Sequence, residues 1–149
     1  MIPSAAGPAS PHVSETLHRV NYSETDQMGV VYHGRYPVWF DVARTEHLRA
    51  AGFNYRDLEE RGLRLVVTDM QIRYRRPPHY DDLVRIRCWV REAVPRRVSF
   101  GYAVLDSTSG LLLATASTTL ICLDRNHQLS RLPAEVLEAL PAAPDPVKL

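Results

Sequence analysis

The spacing of apolar residues along this chain changes once, near Gly62. Before it, Tyr36, Phe40, Ala43, His47 and Ala50 recur at i, i+4, i+7, i+11 and i+14, the spacing of one helix face. Proline is tolerated only in a first helical turn, where its missing N–H has no acceptor to lose. Pro37 therefore fixes the helix start within His33 to Tyr36. Gly52 stands where a C-terminal cap is expected, and a shorter helix is predicted from Tyr55 to Arg61.

After Gly62 the period is two. Val66, Thr68, Met70, Ile72 and Tyr74 share one face of a long strand that Pro77-Pro78 ends. Val84, Ile86, Cys88 and Val90 form the next inward face, with Arg85, Arg87, Trp89 and Arg91 opposite. Val98, Phe100, Tyr102 and Val104 form the third. Asp106-Ser107-Thr108-Ser109-Gly110 is a hairpin turn into a fourth run, Leu111 to Leu123. Thr16 to Tyr22 is predicted as a first strand carrying Leu17, Val20 and Tyr22, and Pro133 to Leu140 as a terminal helix. Short turns make the later strands antiparallel neighbours, and one long helix must cover one sheet face, which is an α+β architecture. Residues 1–14 and 141–149, each with three prolines and no period, are expected as disordered tails around a single domain over 15–140.

Composition narrows the classes. A chain of 149 residues, 45% hydrophobic and 23% charged, suits one domain that buries roughly 70% of its unfolded surface. It is too apolar and too weakly charged for a disordered chain. No run approaches the ~20 apolar residues of a membrane span. The first fourteen residues lack the basic start and apolar block of a secretory signal, so a cytoplasmic location is expected. Cys88 and Cys122 cannot build a disulfide framework or a zinc site alone, and in apolar strand patterns they are expected as buried thiols.

The net charge of +1 argues against a dedicated nucleic-acid binder, yet it hides a basic middle. Seventeen of the 18 cationic residues are Arg, and ten of these lie between Arg61 and Arg97 against only four acids. The planar guanidinium fork suits phosphate, while solvated strand faces account for such an excess equally well.

The polar loop Ser23-Glu24-Thr25-Asp26-Gln27-Met28-Gly29 runs up to the long helix. A helix start presents unpaired N–H groups and partial positive charge, which together polarise an oxygen. A carboxylate brought beside a carbonyl held there, as Asp26 would be, makes an acyl-transfer site. Taken singly, these residues have plainer readings: Asp26 an Asx-turn residue, His33 a first-turn cap, Tyr32 and Tyr36 core-edge aromatics, Arg44 and Glu46 a solvated or locally paired face.

The segment Tyr22-Ser23-Glu24-Thr25-Asp26-Gln27-Met28-Gly29-Val30-Val31-Tyr32-His33-Gly34-Arg35-Tyr36 resembles the signature of hotdog-fold acyl-CoA thioesterases. The similarity is to the 4-hydroxybenzoyl-CoA thioesterase family, especially its branch encoded with the Tol–Pal system. Ala43-Arg44-Thr45-Glu46, Tyr74-Arg75-Arg76-Pro77 and Leu120-Ile121-Cys122-Leu123-Asp124 also resemble that branch. The likeness covers about Arg19 to Leu140.

The resemblance implies a hotdog fold, a long central helix wrapped by a five-stranded antiparallel sheet. It also implies a homo-oligomer, either a dimer with its sheets edge to edge and active sites at the interface, or a tetramer as a dimer of dimers. Asp26 would be the catalytic carboxylate, as nucleophile or general base, and the backbone N–H of His33 would polarise the thioester carbonyl. Tyr32 and the His33 side chain would position substrate. Arg75, Arg76, Arg96 and Arg97 would hold the phosphates of coenzyme A, which is part of the substrate, so that no metal or separate cofactor is needed. Ser99 would reach the partner's site or be a core-edge serine, and Arg85, Arg87 and Arg91 could serve subunit packing. The acyl preference would depend on a tunnel lined by residues such as Phe40, Met70 and Tyr74.

The expected substrate is an acyl-CoA or acyl-carrier-protein thioester. Three alternatives stand beside it: a hotdog hydratase or dehydratase, a carrier-protein thioesterase of a polyketide-type pathway, and a non-catalytic acyl-CoA-binding module. His33 followed by Pro37 does not reproduce the hydratase pattern. Some polyketide enzymes lack the acid that Asp26 supplies, and the binding module would have no use for Asp26, Gly29 and the helix start together.

Overall fold

The computed structural model describes residues 10–52 and 54–149. In chain order it contains β1 (Ser14–Arg19), a 3-10 turn (Tyr22–Glu24) and a second 3-10 turn (His33–Arg35) that runs into α1 (Tyr36–Ala50). Then come α2 (Tyr55–Glu60), β2 (Arg64–Tyr74), β3 (Leu83–Val94), β4 (Arg97–Asp106), β5 (Leu112–Leu123) and α3 (Ala134–Glu138). The five strands form one antiparallel sheet in the order β1-β3-β4-β5-β2. The α+β architecture predicted from the change of period is the one observed.

Pro37 sits in the first turn of α1, as its missing N–H requires. The helix buries Tyr36, Trp39, Phe40, Ala43, His47 and Leu48. Ala50, expected on that face, is exposed; where α1 meets α2 the buried positions are Leu48 and Ala51 instead. The helix packs on β3 and β1, whose centre is filled by Val84, Ile86, Cys88 and Val90 and by Val98, Phe100, Tyr102 and Val104 of β4. Both cysteines are free and buried, and burial pushes the Cys88 thiol well above its ordinary pKa.

Several boundaries and faces differ from the sequence expectations. The first strand ends at Arg19, because Val20 turns inward and exchanges backbone bonds with Asp81 and Asp82; Leu17 and Tyr22 are exposed. Strand β2 lies at the sheet edge beyond the cover of α1. Its apolar residues Val66, Val67, Met70 and Tyr74 therefore remain exposed, and a bulge at Thr68 breaks the alternation.

The expected tails also differ where they are described. Residues 1–9 lie outside the described residues. At the N-terminal side, His12 stacks on the buried His47 at 4.3 Å and Ser14 Oγ lies 2.7 Å from His47 Nδ1. At the other end, Ala143 donates its N–H to Val90 O, and Asp145 accepts from Trp89 Nε1 and twice from Arg91. Residues 143–145 are thus tied to the outer sheet face, which buries Trp89 completely although its strand position faces outward. Polar anchors rather than periodicity hold this segment. Among the described residues no helix is long and apolar enough to cross a membrane.

Candidate active site

The loop ahead of α1 is a small hairpin. Asp26 N–H donates to Val30 O, Gly29 N–H donates back to Asp26 O, and Thr25 and Val31 form an antiparallel bridge. Gly29 has φ 79°, a left-handed conformation that a side chain disfavours. Asp26 is half-buried. Its Oδ1 accepts the Met28 N–H at 2.9 Å, while Oδ2 has no protein donor among the described residues. One carboxylate oxygen is thus anchored and the other is open.

The hairpin is fixed from both sides. Val31 donates to Pro78 O, and Val30 bridges His79, which ties it to the β2–β3 connection. On the other side stands Glu24, which the sequence alone marks only as one polar loop residue. It is buried and accepts from His18 Nε2 (2.7 Å), the Asn21 N–H (2.8 Å) and Trp39 Nε1 (2.7 Å). Burial alone would raise its pKa. The hydrogen bonds from Asn21, His18 and Trp39 outweigh that and hold the carboxyl below its ordinary range. Glu24 also gives its carbonyl to the Tyr32 N–H. One carboxylate therefore joins β1, the loop and α1. The spacing Asn21-x-x-Glu24 is a capping-box pattern, the one sequence signal that could have found it.

At the helix start, Arg35 N–H closes the 3-10 turn on Tyr32 O. No acceptor among the described residues takes the N–H of His33 or Gly34, as expected for a first turn. These amides can polarise an oxygen. The Tyr74 hydroxyl donates to His33 O at 2.8 Å; although much of the ring is exposed, partial desolvation raises the phenol's pKa, so it remains a donor. The rings of Tyr32, His33, Tyr74 and Tyr36 form a chain of contacts, with centroids at 4.4, 6.4 and 4.9 Å. Tyr32 and His33 are exposed, whereas Tyr36 is buried and its phenol is pushed up to about 12, chiefly by that burial.

This geometry has relatives. Residues 20–140 match the family model of the thioesterase-like superfamily, a span that takes in the hairpin, α1 and all of β2 to β5. The chain belongs to this superfamily. YneP of Bacillus subtilis is 37% identical over 114 residues, covering 76% of this chain and 82% of YneP. The acyl-CoA thioesterase YbgC of Haemophilus influenzae is 37% identical over 107 residues, 71% of this chain and 77% of YbgC. The solved DHNA-CoA thioesterase of Staphylococcus aureus superposes with a TM-score of 0.78 at 36% identity, covering 80% of each chain. The sheet with its single main helix is thus the hotdog fold of these thioesterases.

Within this superfamily member the predicted site residues fall into two groups. Asp26, Tyr32 and His33 share the loop, and Arg75 and Arg76 lie at the same end of the sheet, both donating N–H to Leu113 O. Arg96 and Arg97 lie at the opposite end: Arg96 O accepts from Cys122 N–H, and Arg97 pairs with Glu92 at 2.7 Å. Leu113 and Cys122 are separated by about 30 Å along β5, at a rise of about 3.3 Å per residue. One chain therefore does not bring the two Arg pairs to one phosphate. Ser99 is near the second pair, with its Oγ 3.2 Å from Thr119 Oγ1. Phe40 is sealed in the core against Tyr102, so in one chain it lines no open tunnel. Arg44 is locally paired, holding Asp41 one turn earlier, and it also reaches inward to donate to Tyr102 OH at 3.0 Å, a contact that the expectation of a solvated or locally paired face does not include. Among the described residues no group of three or more His, Cys, Asp or Glu could hold a metal ion.

Proposed function

We propose that this protein hydrolyses acyl-CoA thioesters to free acid and coenzyme A, with Asp26 as the carboxylate and the helix start at His33 as the carbonyl clamp. The observation that carries the reading is the pinned hairpin, which holds a carboxylate with one open oxygen seven and eight residues ahead of two amides, His33 and Gly34, that have no acceptor among the described residues. The name of the Haemophilus influenzae relative, an acyl-CoA thioesterase, supports the substrate class.

In this mechanism the thioester oxygen accepts from the amides at His33 and Gly34, which stabilise the negative charge that develops on it. Asp26 Oδ2 takes a proton from water as the water oxygen bonds to the carbonyl carbon. The C–S bond then breaks, and the same proton passes to the departing thiolate. Tyr74, through His33 O, fixes the peptide whose N–H does the polarising. Tyr32 and the His33 ring, exposed beside these amides, position the acyl group. Arg75 and Arg76 hold coenzyme A phosphates from the loop end of the sheet, and Arg96, Arg97 and Ser99 do so from the other end, in a second copy. The exposed apolar edge of β2 supports a homo-oligomer, as dimer or tetramer, in which that copy completes the site.

The test is thiol release from a panel of short, medium, long and aromatic acyl-CoAs by wild type and Asp26→Asn. Wild type is expected to release thiol, and the variant to lose most of kcat with its fold and oligomer intact. Thiol release by Asp26→Asn at the wild-type rate would sink the role of Asp26. Binding without any release by wild type would mark the protein as a binding module.

A further inference from the structure

The outer face of the sheet, away from α1, carries a second polar arrangement. Strand register aligns Arg87, Ala103, Thr115 and Arg73 in one row across four strands, and Trp89, Gly101, Ser117 and Gln71 in the next. Arg91 is the extra residue of a bulge, since pairing passes from Val90 with Phe100 directly to Glu92 with Ser99. The bulge re-aims its side chain, and the guanidinium grips Asp145 through two bonds. A cavity of about 220 Å³ is bounded by Gln71, Arg73, Arg91, Thr115, Ser117 and Leu149.

Two observations point to a ligand there. Thr115 is only 1% exposed, yet its Oγ1 has no hydrogen-bond partner. Among the described residues no carboxylate pairs with Arg73, whereas Arg91 already has Asp145. A buried hydroxyl left unmet is unfavourable, and one at the wall of a cavity is met when the cavity is filled by an acceptor or donor.

We propose that this outer-face cavity binds a phosphate-type oxyanion. The Arg73 fork, the Gln71 amide and the hydroxyls of Thr115 and Ser117 offer more donors than the two oxygens of a carboxylate need. A doubly charged group with three acceptor oxygens uses them better. Asp145 is already an anion on this face, held by a guanidinium and an indole N–H. The cavity is separate from the hairpin site, because Arg73 and Tyr74 are consecutive on β2 and point to opposite faces. It does not depend on the thioesterase reading.

The test uses the full chain, titrated at constant ionic strength with inorganic phosphate and, separately, with adenosine 3′,5′-bisphosphate. The readout is the Trp89 indole N–H resonance, assigned by its persistence in Trp39→Phe. Saturable shifts are expected, with affinity at least tenfold weaker in Arg73→Gln, several-fold weaker in Thr115→Val, and within twofold of wild type in Arg75→Gln. Saturation by both probes identifies the oxyanion itself as the ligand; saturation by the bisphosphate alone identifies a nucleotide phosphate. A drift equal to that given by chloride overturns the site, and so does wild-type affinity in Arg73→Gln. Thioester hydrolysis is expected to be unchanged in Arg73→Gln; its loss together with anion binding would overturn the separation of the two sites.

Discussion

Replacing Glu24 tests how the fold holds the candidate site. Its two carboxylate oxygens serve three donors: Oε1 takes His18 Nε2 and the Asn21 N–H, and Oε2 takes Trp39 Nε1. An amide at this position has one acceptor and one NH2. If the oxygen faces His18 and Asn21, the NH2 meets the Trp39 indole N–H, donor against donor. If it turns round, the Asn21 N–H is left facing the NH2. Either way one buried donor goes unmet and the remaining bonds lose their charge, so Glu24→Gln is expected to cost about 2 kcal/mol. Glu24→Ala removes the carboxylate altogether and is expected to cost about 3–5 kcal/mol. Urea unfolding followed by Trp fluorescence gives both values. Because Glu24 O also holds the Tyr32 N–H, thiol release by Glu24→Gln should fall further than the small change in folded fraction allows. The pH dependence provides a second check. A carboxylate with a depressed pKa stabilises the fold above its ordinary pKa and loses that contribution as pH falls through the folded value, so the gap between wild type and Glu24→Gln should narrow progressively as pH falls below the ordinary carboxylate range. A Glu24→Gln protein within about 0.5 kcal/mol of wild type at pH 7 would refute the reasoning.

Three further outcomes are expected. Tyr74→Phe removes the donor to His33 O at a cost of about 1 kcal/mol of positioning, seen as a fall in kcat/KM of about fivefold with little change in stability. His47, whose pKa burial lowers to about 4, does not take up the proton that its unfolded form binds near pH 6.5; stability should fall as pH drops between those values, by up to about 3 kcal/mol, and His47→Gln should flatten that part of the urea-midpoint profile. A Cβ on Gly101 would meet Trp89 Cε2 at 2.4 Å, so Gly101→Ala should cost about 1–3 kcal/mol and shift Trp fluorescence as residues 143–145 loosen.

The parts of this protein that were legible in its sequence are those in which a repeated pattern meets a uniform environment. The inward faces of β3 and β4 form the centre of the core, where Phe40 and His47 of α1 meet Tyr102 and Phe100, so the alternating apolar residues from Val84 to Val90 and from Val98 to Val104 are buried as read. The helix start was legible because Pro37 leaves it few places to begin. The apolar alternation of β2 misled, since an edge strand with an uncovered face shows the same letters as a buried one. The outward Trp89 was legible as outward but not as buried, because its cover comes from residues more than fifty positions later, through a single aspartate.

The hairpin divides along the same line. Asp26, Gly29 and His33 were found by family likeness, because one Asp in a turn has no periodic signature. Glu24, two residues earlier, draws its importance from His18 on β1 and Trp39 on α1, partners on either side of it in the chain. The acid that would do the chemistry is half-buried with one oxygen open, while the acid that holds the loop is buried with both oxygens taken. Exchanging their amides should therefore separate the roles. Asp26→Asn is expected to abolish thiol release with an unchanged urea midpoint, and Glu24→Gln to lower the midpoint and leave measurable turnover. Equal loss of stability in both would mean that the hairpin is a structural turn.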